Sequence, residues 1–305
     1  MSPFTGLSAF PITPADAAGR VDVPALRGLV ARLAAARVDS VGLLGTTGSY
    51  PYLTRGERRR AIDAAVEELG GRVPLLVGVG ALRTDEAVAL ARDARAAGAN
   101  AGLLAPVSYT PLLDDEVAAH FEAVAAAGLP LCIYNNPGTT HFTFSPALTA
   151  RLSRVPGVAA VKNPAPEAAH IAADLAGLRA ACAPGFQVGY SFDARAAEAM
   201  LAGADTWYSV VAGLFPAPCA AIVRAVRAGD AAEARRVNAT LQPLWDLFAQ
   251  HTSLRVMSAA ASHLGLCHAA PPLPIQPLGP DARRQVGAVI EALDLATAPV
   301  VPAFA

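Results

Sequence analysis

Short apolar runs and longer amphipathic stretches alternate along this chain. The apolar runs are rich in Val, Leu, Ile and Gly and do not alternate with polar residues. That pattern is typical of parallel β-strands that are buried on both faces. It predicts strands at 6–13, 40–45, 73–79, 101–105, 129–134, 158–162, 186–190 and 205–210.

Helices are predicted in the alanine-rich amphipathic stretches between the strands. Thr54 and Glu57 fit a capping box, in which a hydroxyl and a carboxylate satisfy free backbone N–H groups at a helix start. Thr84 and Asp114 are expected N-caps. Glycines that suit a left-handed helix end follow several stretches, namely Gly70, Gly71, Gly98, Gly128 and Gly203. The predicted helices are 24–37, 56–69, 85–97, 115–127, 146–154, 166–177 and 193–202.

Eight strand–helix units over this length predict an α/β fold, a closed (β/α)8 TIM barrel. Further helical patterns follow at 218–227, 231–250 and 253–264. We therefore expect a barrel over 1–220 and, over 221–305, the last barrel helix with a C-terminal helical extension. The rival architecture is a doubly wound open sheet, but the segment 78–83 lacks the third glycine of its phosphate-binding fingerprint.

Composition narrows the functional classes. Hydrophobic residues make up 53% of the 305 residues and charged residues only 16%, so much of the chain must be buried in a core or in subunit interfaces. The net charge is -1 with Arg spread along the chain, which argues against nucleic-acid binding. We expect no signal peptide and no membrane span, and hence a cytoplasmic protein.

The cysteines and histidines do not form metal-binding motifs. The four cysteines show no CxxC pair and are expected to be buried free thiols in a reducing compartment. The six histidines form neither HxH nor HExxH. A metal site is therefore improbable, and so is a metal-dependent aldolase.

Lys162 is the only lysine among 24 basic residues. A surface cation needs only a positive charge, which Arg supplies, whereas an amine nucleophile must be able to lose its proton. Lys162 ends the apolar run 158–161, so the pattern indicates a buried strand that delivers an amine to its end. The alternative is an ordinary surface cation in a chain of biased composition.

Polar residues follow four of the predicted strands, where a TIM barrel has its active site. The groups are the Gly-Thr-Thr-Gly-Ser turn at 45–49, Ser108 with Tyr109, the segment 134–140, and Lys162. Each has a simpler structural explanation. Thr46 and Thr47 could form a tight turn, which is compatible with a carboxylate cradle. Tyr134 could be a core aromatic residue, and Tyr109 could belong to a loop or an interface.

These residue types together favour imine chemistry. A lysine amine attacks the carbonyl of a 2-keto acid, water leaves, and the iminium lets a bond to the neighbouring carbon form or break. A nearby tyrosine can shuttle protons, and threonine hydroxyls with backbone amides can hold the carboxylate. We expect no cofactor. The candidate catalytic residues are Lys162, Tyr134, Thr46 and Tyr109, and the candidate substrate contacts are Thr47, Gly48, Ser49, Ser108, Thr139 and Tyr208.

These motifs resemble the dihydrodipicolinate synthase / N-acetylneuraminate lyase family of class I pyruvate aldolases. The resemblance covers nearly the whole chain, from the Phe-Pro-Ile-Thr-Pro opening at 10–14 to Gly-Thr-Thr-Gly at 45–48, the YNxPG segment at 134–138 and the strand of Lys162. It implies a barrel with a C-terminal helical part, usually assembled as a tetramer of two tight dimers. It also implies that Lys162 forms the Schiff base, that Tyr134 shuttles protons with Thr46 in its relay, and that Thr47 binds the carboxylate.

The chain departs from that family at several positions. Thr139 stands where dihydrodipicolinate synthases carry the arginine that binds the carboxylate of aspartate semialdehyde, and a hydroxyl cannot replace a bidentate guanidinium. Ser108 aligns with a tyrosine that reaches into the neighbouring subunit, and Tyr109 falls one residue later. Ser49 replaces a frequent glutamate, and Pro164 replaces the threonine usual in lyases that act on sialic acid.

We therefore expect a Schiff-base lyase, aldolase or dehydratase that acts on pyruvate or a related 2-keto acid with an unidentified second substrate. It is expected to be a homo-oligomer, a tetramer or a dimer, and to condense aspartate semialdehyde weakly or not at all. The alternatives are dihydrodipicolinate synthase proper, a non-catalytic keto-acid-binding regulatory paralogue, and, less favoured, an aldolase of phosphorylated sugars.

Overall fold

Eight parallel strands form the closed barrel that the apolar runs predict. The structure is a computed structural model that describes residues 2–295. The strands pair in chain order, and β1 closes the barrel against β8. Their bounds are β1 Gly6–Ala9, β2 Ser40–Leu43, β3 Leu75–Gly78, β4 Ala101–Leu104, β5 Leu131–Tyr134, β6 Val158–Pro164, β7 Gln187–Ser191 and β8 Thr206–Ser209.

Helices follow the strands and continue beyond the barrel. They are α1 Val23–Ala35, α2 Arg55–Leu69, α3 Thr84–Ala97, α4 Asp114–Ala125, α5 Pro137–Thr140, α6 Pro146–Leu152, α7 Ala168–Ala181, α8 Ala196–Leu201, α9 Pro216–Arg227, α10 Ala231–Thr240, α11 Gln242–His251, α12 Ser253–His263 and α13 Pro280–Ala292. Single 3-10 turns occupy Tyr50–Tyr52, Asp193–Arg195 and Val211–Gly213.

The C-terminal helices differ from the prediction in two places. The predicted helix 231–250 is two helices, α10 and α11, and Pro243 lies in the first turn of α11, where its missing N–H costs nothing. The prediction also omits α13, which buries Val286 and Ile290 one turn apart. Because α9 begins at Pro216, it crosses the predicted boundary at 220, and we propose that the extension proper begins with α10.

Two of the predicted helix starts are wrong by one residue. The N-caps of α3 and α4 are Arg83 and Leu113, so Thr84 and Asp114 are the first helical residues. The Thr84 hydroxyl instead lies 3.0 Å from His120 Nδ1, which takes it away from the helix start. At α4 the Glu116 carboxylate accepts the Leu113 N–H, which fixes the start one residue early.

The capping box predicted for Thr54 and Glu57 at the start of α2 is confirmed in part. The N–H of Glu57 donates to Thr54 Oγ1, but the Glu57 carboxylate accepts from Val21 N and not from its own helix start. The predicted helix-end glycines all have the left-handed φ that favours glycine: 54° at Gly70, 73° at Gly71, 101° at Gly98, 75° at Gly128 and 95° at Gly203.

The C-terminal extension lies beside one edge of the barrel mouth. A cavity of about 530 Å³ is lined by Thr13, Thr47 and Ser49 from the strand-end loops and by Leu254 and His268 from the extension. All four cysteines are free thiols, three of them buried. Among the described residues, no helix combines the length and the apolar character that crossing a membrane requires.

Candidate active site

Lys162 and Tyr134 face each other on neighbouring strands. In the parallel pairing of β5 with β6 they are register partners, and Asn135 N donates to Lys162 O over 3.1 Å. Lys162 is 3% exposed and Tyr134 6% exposed. The Lys162 Nζ lies 4.5 Å from the centroid of the Tyr134 ring. The expectation of a buried strand that carries an amine is therefore confirmed, although β6 runs two residues beyond Lys162, and the surface-cation alternative is excluded.

Three aromatic rings surround the amine. Besides Tyr134, the Phe10 ring centroid lies 3.8 Å and the Tyr208 centroid 5.7 Å from Lys162 Nζ. Both additional rings depend on glycine. A Cβ on Gly42 would overlap the Phe10 ring, and one on Gly189 would lie 2.6 Å from Tyr208 Cε2. These two close approaches let the barrel core hold aromatic rings against a lysine.

Lys162 takes part in no ion pair of residues 2–295, because every cation in those pairs is an arginine or a histidine. The amine instead lies against the three aromatic rings. An amine in such surroundings is accessible to chemistry without first breaking a salt bridge.

The Tyr134 hydroxyl belongs to a cluster of three polar groups. It lies 3.0 Å from Thr46 Oγ1, and either hydroxyl could be the donor. Asn136 Nδ2 donates to both oxygens, over 3.1 Å to Tyr134 OH and 3.2 Å to Thr46 Oγ1. Thr46 and Tyr134 are 88 positions apart in the sequence, and the barrel brings them together at the ends of β2 and β5.

The turn after β2 begins and ends with left-handed residues. Leu44 has a φ of 57° and Ser49 a φ of 53°, conformations that cost energy for residues other than glycine. Ser49 N donates to Thr46 O over 3.0 Å, which closes the turn. A side chain at Gly48 would be tightly packed, since a Cβ would lie 3.0 Å from both Leu44 Cα and Thr13 Oγ1. Strain at a strand end of this kind is typical of functional sites.

Side-chain hydrogen bonds fasten the ends of β5, β6 and β7. Asn135 Nδ2 donates to Asn163 Oδ1 over 3.0 Å, and Ser191 Oγ donates to Asn163 O over 3.2 Å. Both asparagines are buried, so the bonds are shielded from water. The strand ends on either side of Lys162 are therefore held in a fixed arrangement.

Two buried groups near the amine stay protonated. Burial raises the pKa of the Cys132 thiol to about 12 and raises that of the Tyr208 hydroxyl well above its usual value. The Cys132 Sγ and the Tyr208 OH lie 3.5 Å apart. Tyr208 is thus a neutral wall of the lysine pocket, and Tyr134 is the tyrosine with a hydroxyl in the polar cluster.

The buried carboxyl of Asp193 joins the loop after β7 to β8. It accepts from Trp207 Nε1 over 3.0 Å and from Ser209 Oγ over 2.7 Å. Burial raises its pKa above the ordinary value for aspartate. Its bonds keep the β8 end, and with it Tyr208, in place.

Other predicted site residues lie apart from the cluster. Tyr109 is 98% exposed, and Thr139 is exposed on α5, where its hydroxyl donates to Asn136 O over 3.2 Å. Ser108 is half-buried and its hydroxyl donates to Thr110 O within the same loop. Within one chain, these residues are not brought to the amine.

Two residues near the amine, Phe10 and Asn136, are absent from the predicted site. Phe10 follows β1 directly and Asn136 lies within the segment after β5, so both occupy strand ends. The strand-end rule could have found Asn136, because it is polar. Phe10 could not be told from a core residue, because only the fold brings its ring over the amine.

A closed barrel that carries a buried amine at the end of β6 defines the class of lysine-dependent (β/α)8 lyases. The chain belongs to one family within it: the model of the dihydrodipicolinate synthetase family matches residues 3–293. It is an enzyme of the class I, lysine Schiff-base type.

Individual relatives support this assignment. The chain is 36% identical to a 4-hydroxy-tetrahydrodipicolinate synthase of Methylococcus capsulatus, over 90% of this chain and 93% of that protein. It superposes on the structure of a dihydrodipicolinate synthase from Agrobacterium tumefaciens with a TM-score of 0.93 and 58% identity, covering 95% of this chain and 98% of that one. A prophage protein of the same family from E. coli K12, solved in complex with pyruvate, superposes with a TM-score of 0.89 and 26% identity, covering 96% and 100%.

The names of these relatives bear on the predicted specificity. The expectation that the chain is not a dihydrodipicolinate synthase finds no support in them, because the curated relatives carry the synthase name. The predicted family is confirmed.

Proposed function

We propose that Lys162 forms an imine with pyruvate. Its Nζ attacks C2 of the keto acid to give a carbinolamine, and loss of water leaves the iminium. The observation that carries this proposal is the placement of the chain's only lysine: 3% exposed, opposite Tyr134 and in no ion pair of residues 2–295. The pyruvate-bound relative from E. coli supports the choice of keto acid.

Tyr134 is the proposed proton shuttle. Its hydroxyl gives a proton to the carbinolamine oxygen, which leaves as water, and takes part in moving a proton from C3 so that the iminium becomes an enamine. Thr46, 3.0 Å away, is the proposed relay partner. Tyr208 is not assigned this role, because its hydroxyl points to Cys132 and stays protonated.

The turn at 45–49 is the proposed carboxylate site. Its buried members Thr47, Gly48 and Ser49 follow a strained strand end, and backbone amides of such turns bind anions. Holding the keto acid by its carboxylate would present C2 to the amine.

For the second substrate we favour aspartate semialdehyde, the aldehyde that dihydrodipicolinate synthases bind, because the relatives carry the synthase name. The enamine carbon C3 would attack the aldehyde carbon, a carbon–carbon bond would form, and the aldehyde oxygen would take up a proton. The amino group of the semialdehyde would then attack C2 of the iminium, close the ring and release the Lys162 amine, which gives the product of 4-hydroxy-tetrahydrodipicolinate synthase. The non-catalytic alternative is not retained, because the relatives are enzymes that carry out this chemistry.

A second candidate is lyase, aldolase or dehydratase activity on a different substrate. Thr139 favours it, because an exposed hydroxyl offers a carboxylate far weaker binding than a bidentate guanidinium. An aldehyde that has no carboxylate near position 139 would lose no binding when threonine stands there in place of arginine.

We also propose that the chain acts as a homo-oligomer. Three exposed large side chains lie in the loops that precede α3 and α4: Leu82 at 66%, Tyr109 at 98% and Leu113 at 69%. Apolar groups exposed together are typical of interaction surfaces. Light scattering coupled to gel filtration measures the assembly directly, with a dimer or tetramer expected.

The test of the proposed function has two arms. Borohydride reduction with pyruvate, followed by peptide mass spectrometry, should place a reduced adduct on Lys162. No adduct across a panel of 2-keto acids would contradict the imine. A coupled assay then compares aspartate semialdehyde with other aldehydes, and efficient turnover of the semialdehyde alone selects the synthase.

A further inference from the structure

Asn136 occupies a position that the proposed mechanism does not yet use. Its Nδ2, the Tyr134 hydroxyl and Thr46 Oγ1 form a triangle with sides of 3.1, 3.2 and 3.0 Å. Asn136 is half-buried and comes from the same strand end as Tyr134. One amide therefore contacts both members of the proposed proton relay.

The protons available in this triangle fix its donor pattern. Two hydroxyls bring two protons, and an amide nitrogen brings two more. With Nδ2 inward, the amide fills two sides, one hydroxyl proton fills the third, and one hydroxyl proton remains free. With the amide oxygen inward, the two hydroxyl protons would both point to that oxygen and the third side would have no proton. The orientation with Nδ2 inward therefore satisfies all three contacts.

The free proton can be on either hydroxyl, and only one choice serves the chemistry. When Thr46 donates to Tyr134, the phenol oxygen accepts from both Thr46 and Asn136, and its own proton is free to point toward the substrate. When that proton leaves, both donors stabilise the phenolate that forms.

We propose that Asn136 is a positioning residue of the proton relay. It holds the Tyr134 oxygen as a double acceptor, directs the phenol proton toward the carbinolamine and stabilises the tyrosine after it has given that proton away. The Tyr134 hydroxyl then has both of its hydrogen-bonding neighbours, Thr46 and Asn136, from its own chain. Ser108 and Tyr109 lie apart from it, in the loop after β4. This inference rests on the proposed imine at Lys162.

The experiment measures exchange of the pyruvate methyl protons in deuterated water by NMR. Exchange requires the imine and its enamine but no second substrate, so it does not depend on which aldehyde the enzyme uses. The variants are Asn136→Val, which removes both donors, and Asn136→Asp, which keeps the shape and replaces the amide by a carboxylate. Borohydride trapping over a range of pyruvate concentrations reports binding in parallel.

Asn136→Val is expected to slow exchange roughly tenfold to a hundredfold, as for the loss of hydrogen bonds to a developing charge. The pyruvate concentration for half-maximal trapping should change by less than about threefold. Asn136→Asp should be slow at neutral pH and recover relative to the wild type as the pH falls toward about 4, where the new carboxyl gains a proton and can donate. A purely structural role would not give that recovery.

Three results would be decisive against the proposal. Exchange within about threefold of wild type in Asn136→Val would overturn the positioning role alone. A ratio of Asn136→Asp to wild type that does not change with pH would overturn it too, and this variant decides the matter if the valine protein fails to fold. Absence of both adduct and exchange in the wild-type enzyme would instead overturn the proposed function, and this inference with it.

Discussion

The two sides of the barrel mouth differ in how much of the site one chain completes. On the lysine side, Lys162 is 3% exposed, three aromatic rings surround its amine, and Tyr134 is held by two hydrogen-bonding neighbours. On the open side, Thr139 and Tyr109 are exposed, and the Thr139 hydroxyl donates to the backbone of Asn136, the residue before its own short helix. In the proposed mechanism, the chain therefore preorganises imine formation and leaves the choice of second substrate to weakly held groups.

The difference follows from the structural elements that carry each side. Lys162 and Tyr134 lie within paired strands, where register and core packing fix each side chain. Ser108, Tyr109 and Thr139 lie on a loop and on the four-residue helix α5. Loops tolerate substitution that a barrel core does not, so a specificity change can occur there without disturbing the amine.

The largest effect is expected from Lys162→Arg, which keeps the charge and removes the nucleophile. Turnover should fall by roughly 10⁴-fold or more, because the covalent intermediate can no longer form. Peptide mass spectrometry after borohydride reduction should find no pyruvate adduct. An adduct that persists in this variant would mean that another group forms the covalent bond. Lys162 would then not be the nucleophile that forms the imine.

Tyr134→Phe should give the next largest effect. Loss of the hydroxyl removes the proton shuttle and leaves the ring that covers the amine, so kcat should fall roughly 10²- to 10⁴-fold. Tyr208→Phe is the matched control: its hydroxyl faces Cys132, so the loss in kcat should be far smaller. Steady-state kinetics of both variants decide the assignment, and equal losses would contradict it.

The sequence is sufficient to predict much of the lysine side and little of what surrounds it. The strands are each within a few residues of their predicted bounds, because their apolar runs are set by burial on both faces. Lys162, Tyr134 and Thr46 could be predicted as a group from the strand-end rule. The ring of Phe10 over the amine and the double contact of Asn136 depend on distances between strands, which no local pattern encodes.

The open side shows a different kind of limit. The sequence does not reveal that Tyr109 is exposed. A tyrosine that follows a strand has the same sequence pattern whether it is catalytic or only part of a loop. The one-residue error at Thr84 has a similar origin, because His120 of α4 contacts its hydroxyl. The error at Asp114 is local, because Glu116 of the same helix accepts the Leu113 N–H and fixes the start there.

Thr139→Arg should increase activity on the open side. A guanidinium there can bind the carboxylate of aspartate semialdehyde through two hydrogen bonds, so kcat/KM for that substrate should rise about tenfold to a hundredfold. Thr139→Lys is the matched control, because it adds charge without the planar fork, and its gain should be smaller. Borohydride trapping with pyruvate should be unchanged in both variants. No gain in either variant would show that the carboxylate of aspartate semialdehyde is not bound at position 139.

Tyr109→Ala should have the smallest effect if each chain completes its own site. A side chain that is 98% exposed on its own chain contributes little to folding, so the free energy of unfolding should change by about 0.5 kcal/mol or less. In that case kcat/KM should change by less than about threefold. A tenfold or larger loss with unchanged stability would mean that Tyr109 acts in the site of a partner subunit. Mixed oligomers of Tyr109→Ala and Lys162→Arg chains separate the two outcomes. The Lys162→Arg chain would supply the missing tyrosine to a site that keeps its lysine, so activity would recover only if that tyrosine crosses between subunits.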